Sequence, residues 1–180
     1  ANDHLQPAHL TIDREATAGA LGRQPSQALQ PHLAVYQLQQ QHLQAIIDSS
    51  TEAAMISTDI HGVIRLFNPG AERMLGYRAI ELVGISTPAI LHDPDEVRAR
   101  AAQLSAEYQL PIDGFDVFVY KARHGTSETR QWTYLCKNGD RKQVRLSVST
   151  MRDQRGEVLG YLGVAIDITQ LEQLNHALLL

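Results

Sequence analysis

Val158-Leu-Gly-Tyr-Leu-Gly-Val-Ala-Ile-Asp-Ile-Thr169, followed directly by the leucine-spaced run to Leu180, reads as a strand that enters a helix without a loop. Leu162, Val164 and Ile166 alternate with Tyr161, Gly163 and Ala165, a period of two with small residues on one face. Thr169 stands where a helix N-cap is expected, able to accept a backbone N–H from the first turn. Leu171, Leu174 and Leu178 follow at spacings of three and four, the seam of a helix that needs a partner. A strand joined rigidly to a partner-seeking helix can pass on a shift of its sheet. Asp167 is the expected coupling residue at this joint, with Thr169. Its carboxylate can favour the helix N-terminus or pair with a nearby Arg or Lys.

The 180 residues suffice for one domain with flanking segments, and 43% of them are hydrophobic, enough for a packed core. Net charge is −4 with interspersed signs, which argues against nucleic acid as the main partner. Cys136 is the single cysteine, so no internal disulfide forms and a reducing, cytoplasmic setting is expected. No apolar run approaches the roughly 20 residues of a membrane span, and no signal-peptide pattern opens the chain. The start on Ala1 and the stop within a leucine-rich helix suggest a segment of a longer protein.

Upstream, residues 1–24 show no sustained period and read as a linker or loosely ordered lead-in. Residues 25–48 read as a dimerisation helix, with Leu29, Leu33, Tyr36, Gln40, Leu43 and Ile47 spaced by fours and threes. Two short strands, Ala53 to Asp59 and Gly62 to Asn68, flank the turn Asp59-Ile-His-Gly62. Asn68-Pro69 opens a short helix closed by Gly76, and Arg78 to Gly84 holds another. Asp93-Pro-Asp-Glu96 is a compact helix start, with the helix running to about Tyr108. For residues 111–127 periodicity leaves helix and strand both open. Thr129 to Lys137, the turn Asn138-Gly139, and the strictly alternating Arg141 to Met151 form a hairpin ahead of the final strand. The order of two strands, several short helices and three strands predicts an α+β fold. Its five-stranded antiparallel sheet is covered on one face by helices and flanked by N- and C-terminal coiled-coil-type helices.

From about Leu43 to Thr169 the chain resembles a PAS domain, a sensory module of bacterial signalling proteins, here assigned residues 49–169. The resemblance rests on Ile64-Arg-Leu-Phe-Asn68-Pro-Gly-Ala71, Glu81-Leu-Val-Gly84, Leu91-His-Asp-Pro-Asp95, Lys137-Asn-Gly139 and the closing Gly163-Val-Ala-Ile-Asp167-Ile-Thr169. It implies a sensor that dimerises through its flanking helices. Through residues 170–180 it would control a downstream output domain, a kinase or cyclic-dinucleotide enzyme, in the same chain. A ligand-free dimerising relay, and a haem- or flavin-based redox sensor, are the alternatives.

No catalytic motif occurs, the eight histidines have no metal-ligand spacing, and mid-strand Cys136 reads as a core residue, so neither an enzyme nor a metal site is expected. The haem and flavin signatures that the resemblance would require are also missing. Residues 93–109 lack an axial histidine, no Asn-Cys-Arg-like cysteine opens that helix, and Trp132 stands too near Lys137. No cofactor is therefore expected, while an unidentified small molecule remains a candidate ligand. His92, ahead of the long helix, reads as a solvent-edge loop residue. By alternation Arg130, Trp132, Tyr134 and Cys136 share an inward face, with Leu146, Val148 and Val164 completing a wall and Val97 and Ala101 opposite. Ser57 is a further polar candidate, and Asn68 another that also suits a helix cap. An inward Arg130 needs an anion from a carboxylate or a ligand, or else reaches solvent from the strand's start. A core packed solid by Trp132, Tyr134, Leu146 and Ile166 would instead favour the relay.

Overall fold

The computed structural model describes residues 29–125 and 127–179. The lead-in expected over residues 1–24 and the first residues of the helix expected from 25 lie outside them. Helix α1 is Leu29–Ser49, and the chain divides into two units between His42 and Leu43. Leu33, Tyr36 and Leu43 along α1 are exposed.

The second unit is built on one antiparallel sheet of five strands in the order β2-β1-β5-β4-β3: β1 Ala53–Asp59, β2 Ile64–Phe67, β3 Glu128–Leu135, β4 Arg141–Arg152 and β5 Val158–Asp167. Strand β5 is central and pairs with both β1 and β4. Between β2 and β3 lie α2 (Pro69–Leu75), α3 (Ala79–Leu82), a 3-10 turn (Pro88–Leu91), α4 (Pro94–Tyr108) and α5 (Asp116–Arg123); α6 (Thr169–Leu178) follows β5. The fold is the five-stranded antiparallel α+β sheet predicted.

Local chemistry explains the joints between these elements. Asn68 caps α2, its Oδ1 accepting from Ala71 N–H and from Met55 N–H of β1 (2.9 and 2.8 Å). Its Nδ2 donates to the carbonyls of Ser50 and Ala53 (2.9 and 3.2 Å). One 2%-exposed side chain thus ties the end of α1, strand β1 and α2 together. Gly76 ends α2 in the left-handed region that glycine enters without a Cβ penalty. Asp93 caps α4 through Asp95 N–H (2.8 Å), with Pro94 at the first helical position. Residues 111–127, undecided by periodicity, contain α5, which buries Val117, Phe118, Val119 and Ala122.

Register decides which face of each strand is inward. Leu146 lies opposite Ala165, and Val148 opposite Gly163. In antiparallel pairs opposed residues share a face. The inward face of β5 is therefore Tyr161, Gly163 and Ala165. Leu162, Val164 and Ile166 point outward, and Ile166 is 52% exposed. Val164 is not part of the inner wall, nor Ile166 of the core. The small-residue face is the inner one, and Tyr161 supplies the bulk there, its ring packed on Phe115 at 5.8 Å.

Candidate functional site

Between the sheet and the helical segment lies a small, mainly apolar cavity of about 40 Å³. On the sheet side it is lined by Thr58, Tyr134, Leu146, Val148 and Gly163, and on the other by His92, Phe115 and Phe118. Alternation brings Thr58 here, on the inward face of β1 with Ala54 and Ile56.

His92 is 2% exposed, not the solvent-edge residue expected. Its backbone bridges to Tyr134, and Asp93 N–H donates to the Thr133 carbonyl (3.1 Å), pinning this turn to the edge strand. The imidazole then packs against Phe118, Tyr134 and Trp132 at 4.2, 4.9 and 5.1 Å. Burial among these rings pushes its pKa down to about 4, although the hydrogen bond to Pro88 opposes this. The ring is therefore neutral. Its Nδ1–H donates to the Pro88 carbonyl (2.8 Å), leaving the lone pair on Nε2. Nε2 and the Thr58 hydroxyl are both buried without a partner, two polar atoms lining an otherwise apolar cavity. A water or a small hydrogen-bonding ligand can satisfy them. At about 40 Å³ the cavity is far below the roughly 300–1,000 Å³ of drug-sized ligand sites.

Of the residues assigned from sequence, Tyr134, Leu146 and Val148 come together around this cavity, and Trp132 backs it against His92. Val97 is half-buried against the core without lining the cavity. Ser57 lies opposite Leu162 and so faces the other side of the sheet. It is one residue out of phase with Thr58, which takes the polar place expected of it. Arg130 opens onto a separate groove with Trp132.

The joint between β5 and α6 is held by a compact set of hydrogen bonds. Asp167 accepts from Lys142 Nζ through Oδ2 (2.8 Å), and through Oδ1 from the Thr169 N–H (2.9 Å) and hydroxyl (2.6 Å). Burial would raise the Asp167 pKa, but the Lys142 and Thr169 bonds outweigh it and hold the carboxyl below its ordinary value. Thr169 is the first residue of α6, not its N-cap. Its Oγ1 accepts from Gln143 N–H of β4 (3.0 Å), so the hydroxyl binds the sheet instead of the helix's first turn. Ile168 N–H donates to the Gln143 carbonyl (2.8 Å). The Gln143 side chain donates to Thr133 Oγ1 (2.9 Å), which donates to Glu96 of α4 (2.6 Å). Glu96 also accepts from Thr133 N–H (2.7 Å). A continuous polar chain thus runs from α4 across β3 and β4 to the start of α6. Glu96 and Gln143 were not anticipated from sequence.

Cys136 is buried, its thiol directed at the Met74 carbonyl (3.4 Å). Among the described residues no group of three or more His, Cys, Asp or Glu side chains is placed to hold a metal ion, and no helix is long and apolar enough to cross a membrane.

The family model for the PAS fold matches residues 41–168. Sensor protein FixL of Bradyrhizobium diazoefficiens is 28% identical over 132 residues, which is 73% of this chain and 23% of that protein. The chain therefore spans less than a quarter of the length of that relative. The crystal structure of a PAS domain from Colwellia psychrerythraea is similar at a TM-score of 0.59 and 21% identity, covering 74% of this chain and 98% of that one. The PAS domain of an HTR-like protein from Haloarcula marismortui gives a TM-score of 0.54 at 20% identity, covering 77% and 99%. The two structures agree in fold with what the family match covers, and on that match the chain belongs to the PAS family.

Proposed function

We propose that this PAS domain is the sensory and dimerisation segment of a larger bacterial signalling protein working in the cytoplasm. In this reading a ligand or an upstream partner shifts the sheet. The shift passes through Asp167 and Thr169 to α6, and from there to a kinase or cyclic-dinucleotide enzyme in the same chain. Thr169 carries the reading. Its hydroxyl joins Asp167 at the end of β5 to the Gln143 backbone of β4, so the first residue of α6 follows both strands. The exposed Leu171, Leu174 and Leu178, with Leu33, Tyr36 and Leu43 of α1, support pairing with a second copy through the flanking helices. Tyr134, Leu146 and Val148, with His92 and Thr58, would surround a small ligand. Asp167→Ala in the full-length protein, with fold and oligomeric state intact, is expected to uncouple output from signal. Unchanged regulation of output would sink the coupling role.

The size of the cavity favours a second reading, a relay that dimerises without a ligand of its own. Mass spectrometry of material released on denaturation separates the two. A stoichiometric small molecule supports the sensor, and an empty protein the relay.

A further inference from the structure

Arg130 is half-buried on the edge strand β3, its Nε enclosed and without a hydrogen-bond partner. Arg100, the other arginine with an enclosed free Nε, has its charge met by Glu128. Arg130 is in no ion pair among the described residues. Its guanidinium carbon lies 5.4 Å from the centre of the Trp132 ring, a contact that orients the group but leaves its charge unneutralised. It opens onto a groove of about 500 Å³ beside α4, whose lining includes Glu96, Ala99, Gln131 and Gln143. This groove is distinct from the small apolar cavity, of which Arg130 is not a wall.

The groove also carries a negative charge. Glu96 receives the Thr133 N–H and hydroxyl, and forms no ion pair with Arg130. A carboxylate has about four acceptor positions, so two remain. The Gln143 amide nitrogen is engaged by Thr133, and its oxygen has no partner among the described residues. The lining therefore combines one unmet guanidinium with a separate carboxylate and an amide oxygen. A polyanion would face the repulsion of Glu96, and no second cation lines the groove to offset it.

We infer that the groove binds a small α-amino carboxylate, a free amino acid or a close analogue. Its carboxylate pairs with the Arg130 guanidinium in the forked geometry that arginine favours. Its ammonium donates to Glu96. Glu96 is the α4 end of the polar chain that runs through Thr133 and Gln143 to Thr169, so the occupant touches the links that hold α6 to the sheet.

Trp132 is the sole tryptophan of the chain and touches Arg130, so its fluorescence reports the site directly. The intact protein is titrated with each of the common L-amino acids, with propionate beside L-alanine, and with inorganic phosphate. At least one amino acid is expected to give a saturable change, phosphate none, and propionate a weaker response than alanine. Arg130→Met should weaken the best amino acid by about tenfold or more, the loss of a charge-assisted pair, with Arg130→Lys intermediate because an ammonium cannot fork. Circular dichroism and the denaturation midpoint of both variants are expected to match the parent. The inference is overturned if no amino acid gives a saturable response, if phosphate alone does, or if Arg130→Met binds as tightly as the parent. It is equally overturned if His92→Phe abolishes the response while Arg130→Met retains it, which would locate the ligand in the cavity beside His92.

Discussion

Replacing His92 with Phe should remove a defined part of this protein's sensitivity to acid. In the folded protein the imidazole pKa is depressed to about 4, against 6.5 for the free side chain. Above 6.5 neither the folded nor the unfolded chain binds this proton, and His92 adds nothing to the pH dependence. As pH falls below 6.5 the unfolded chain takes up a proton that the folded core refuses, so stability drops. The loss levels off below about pH 4, where the folded imidazole also protonates. The full separation is worth about 3 kcal/mol, with about 2.5 kcal/mol already lost by about pH 4.5. Against a typical stability of roughly 5–15 kcal/mol this is a large share. Asp59, Glu81, Asp93 and Asp167 also have lowered pKa values. Their stabilisation is present above the unfolded carboxylate values and is lost as pH falls below them, and being common to both proteins it cancels in the comparison. Phe suits the site because Phe118, Trp132 and Tyr134 surround the ring, although the bond to the Pro88 carbonyl is lost. Urea denaturation of parent and variant across the window from about pH 7 to about pH 4.5 measures the difference. The parent should lose about 2.5 kcal/mol more than His92→Phe. Equal losses would refute the buried neutral imidazole and the lone pair assigned to Nε2.

Asn68→Ala strands the Ser50 and Ala53 carbonyls and removes the cap of α2, and about 3 kcal/mol or more of stability should go with it. A loss under about 1 kcal/mol by chemical denaturation would show that these groups find other partners. Glu128→Ala leaves the 3%-exposed Arg100 without its carboxylate and should cost about 3 kcal/mol. Pairing it with Arg100→Met should recover most of that cost in the same assay, and a purely additive double variant would argue against the ion pair.

The frame was legible because short-range chemistry writes it. Asn68-Pro69, Asp93-Pro94 and Asn138-Gly139 mark two helix starts and a hairpin through caps and turn geometry alone. Helix α5 was not legible, since Val117-Phe-Val119 is buried as a continuous run and has no period of its own. The same divide runs through the site. Tyr134, Leu146 and Val148 follow from alternation along strands. The period set by Ala54 and Ile56 points to Thr58 and not to Ser57, so the polar position is legible one residue out of phase with the expectation. His92 sits in a turn with no period, and its burial arises from Phe118, Trp132 and Tyr134, all distant in sequence. Thr169 is legible as a helix start, but its hydroxyl bonds across the sheet to Gln143, a partner that no local cap rule names.

Gly163, on the inward face of the central strand, is the one position in the cavity wall that carries no side chain. A Cβ built there would stand 3.2 Å from Leu146 Cδ1 and 3.6 Å from the Ile56 carbonyl oxygen, so alanine asks only a few tenths of an ångström of one flexible side chain. A larger residue would use up the room. The room in this cavity is thus set in part at a position that takes no part in the Asp167, Thr169 and Gln143 hydrogen bonds, so a change there leaves the joint between β5 and α6 untouched.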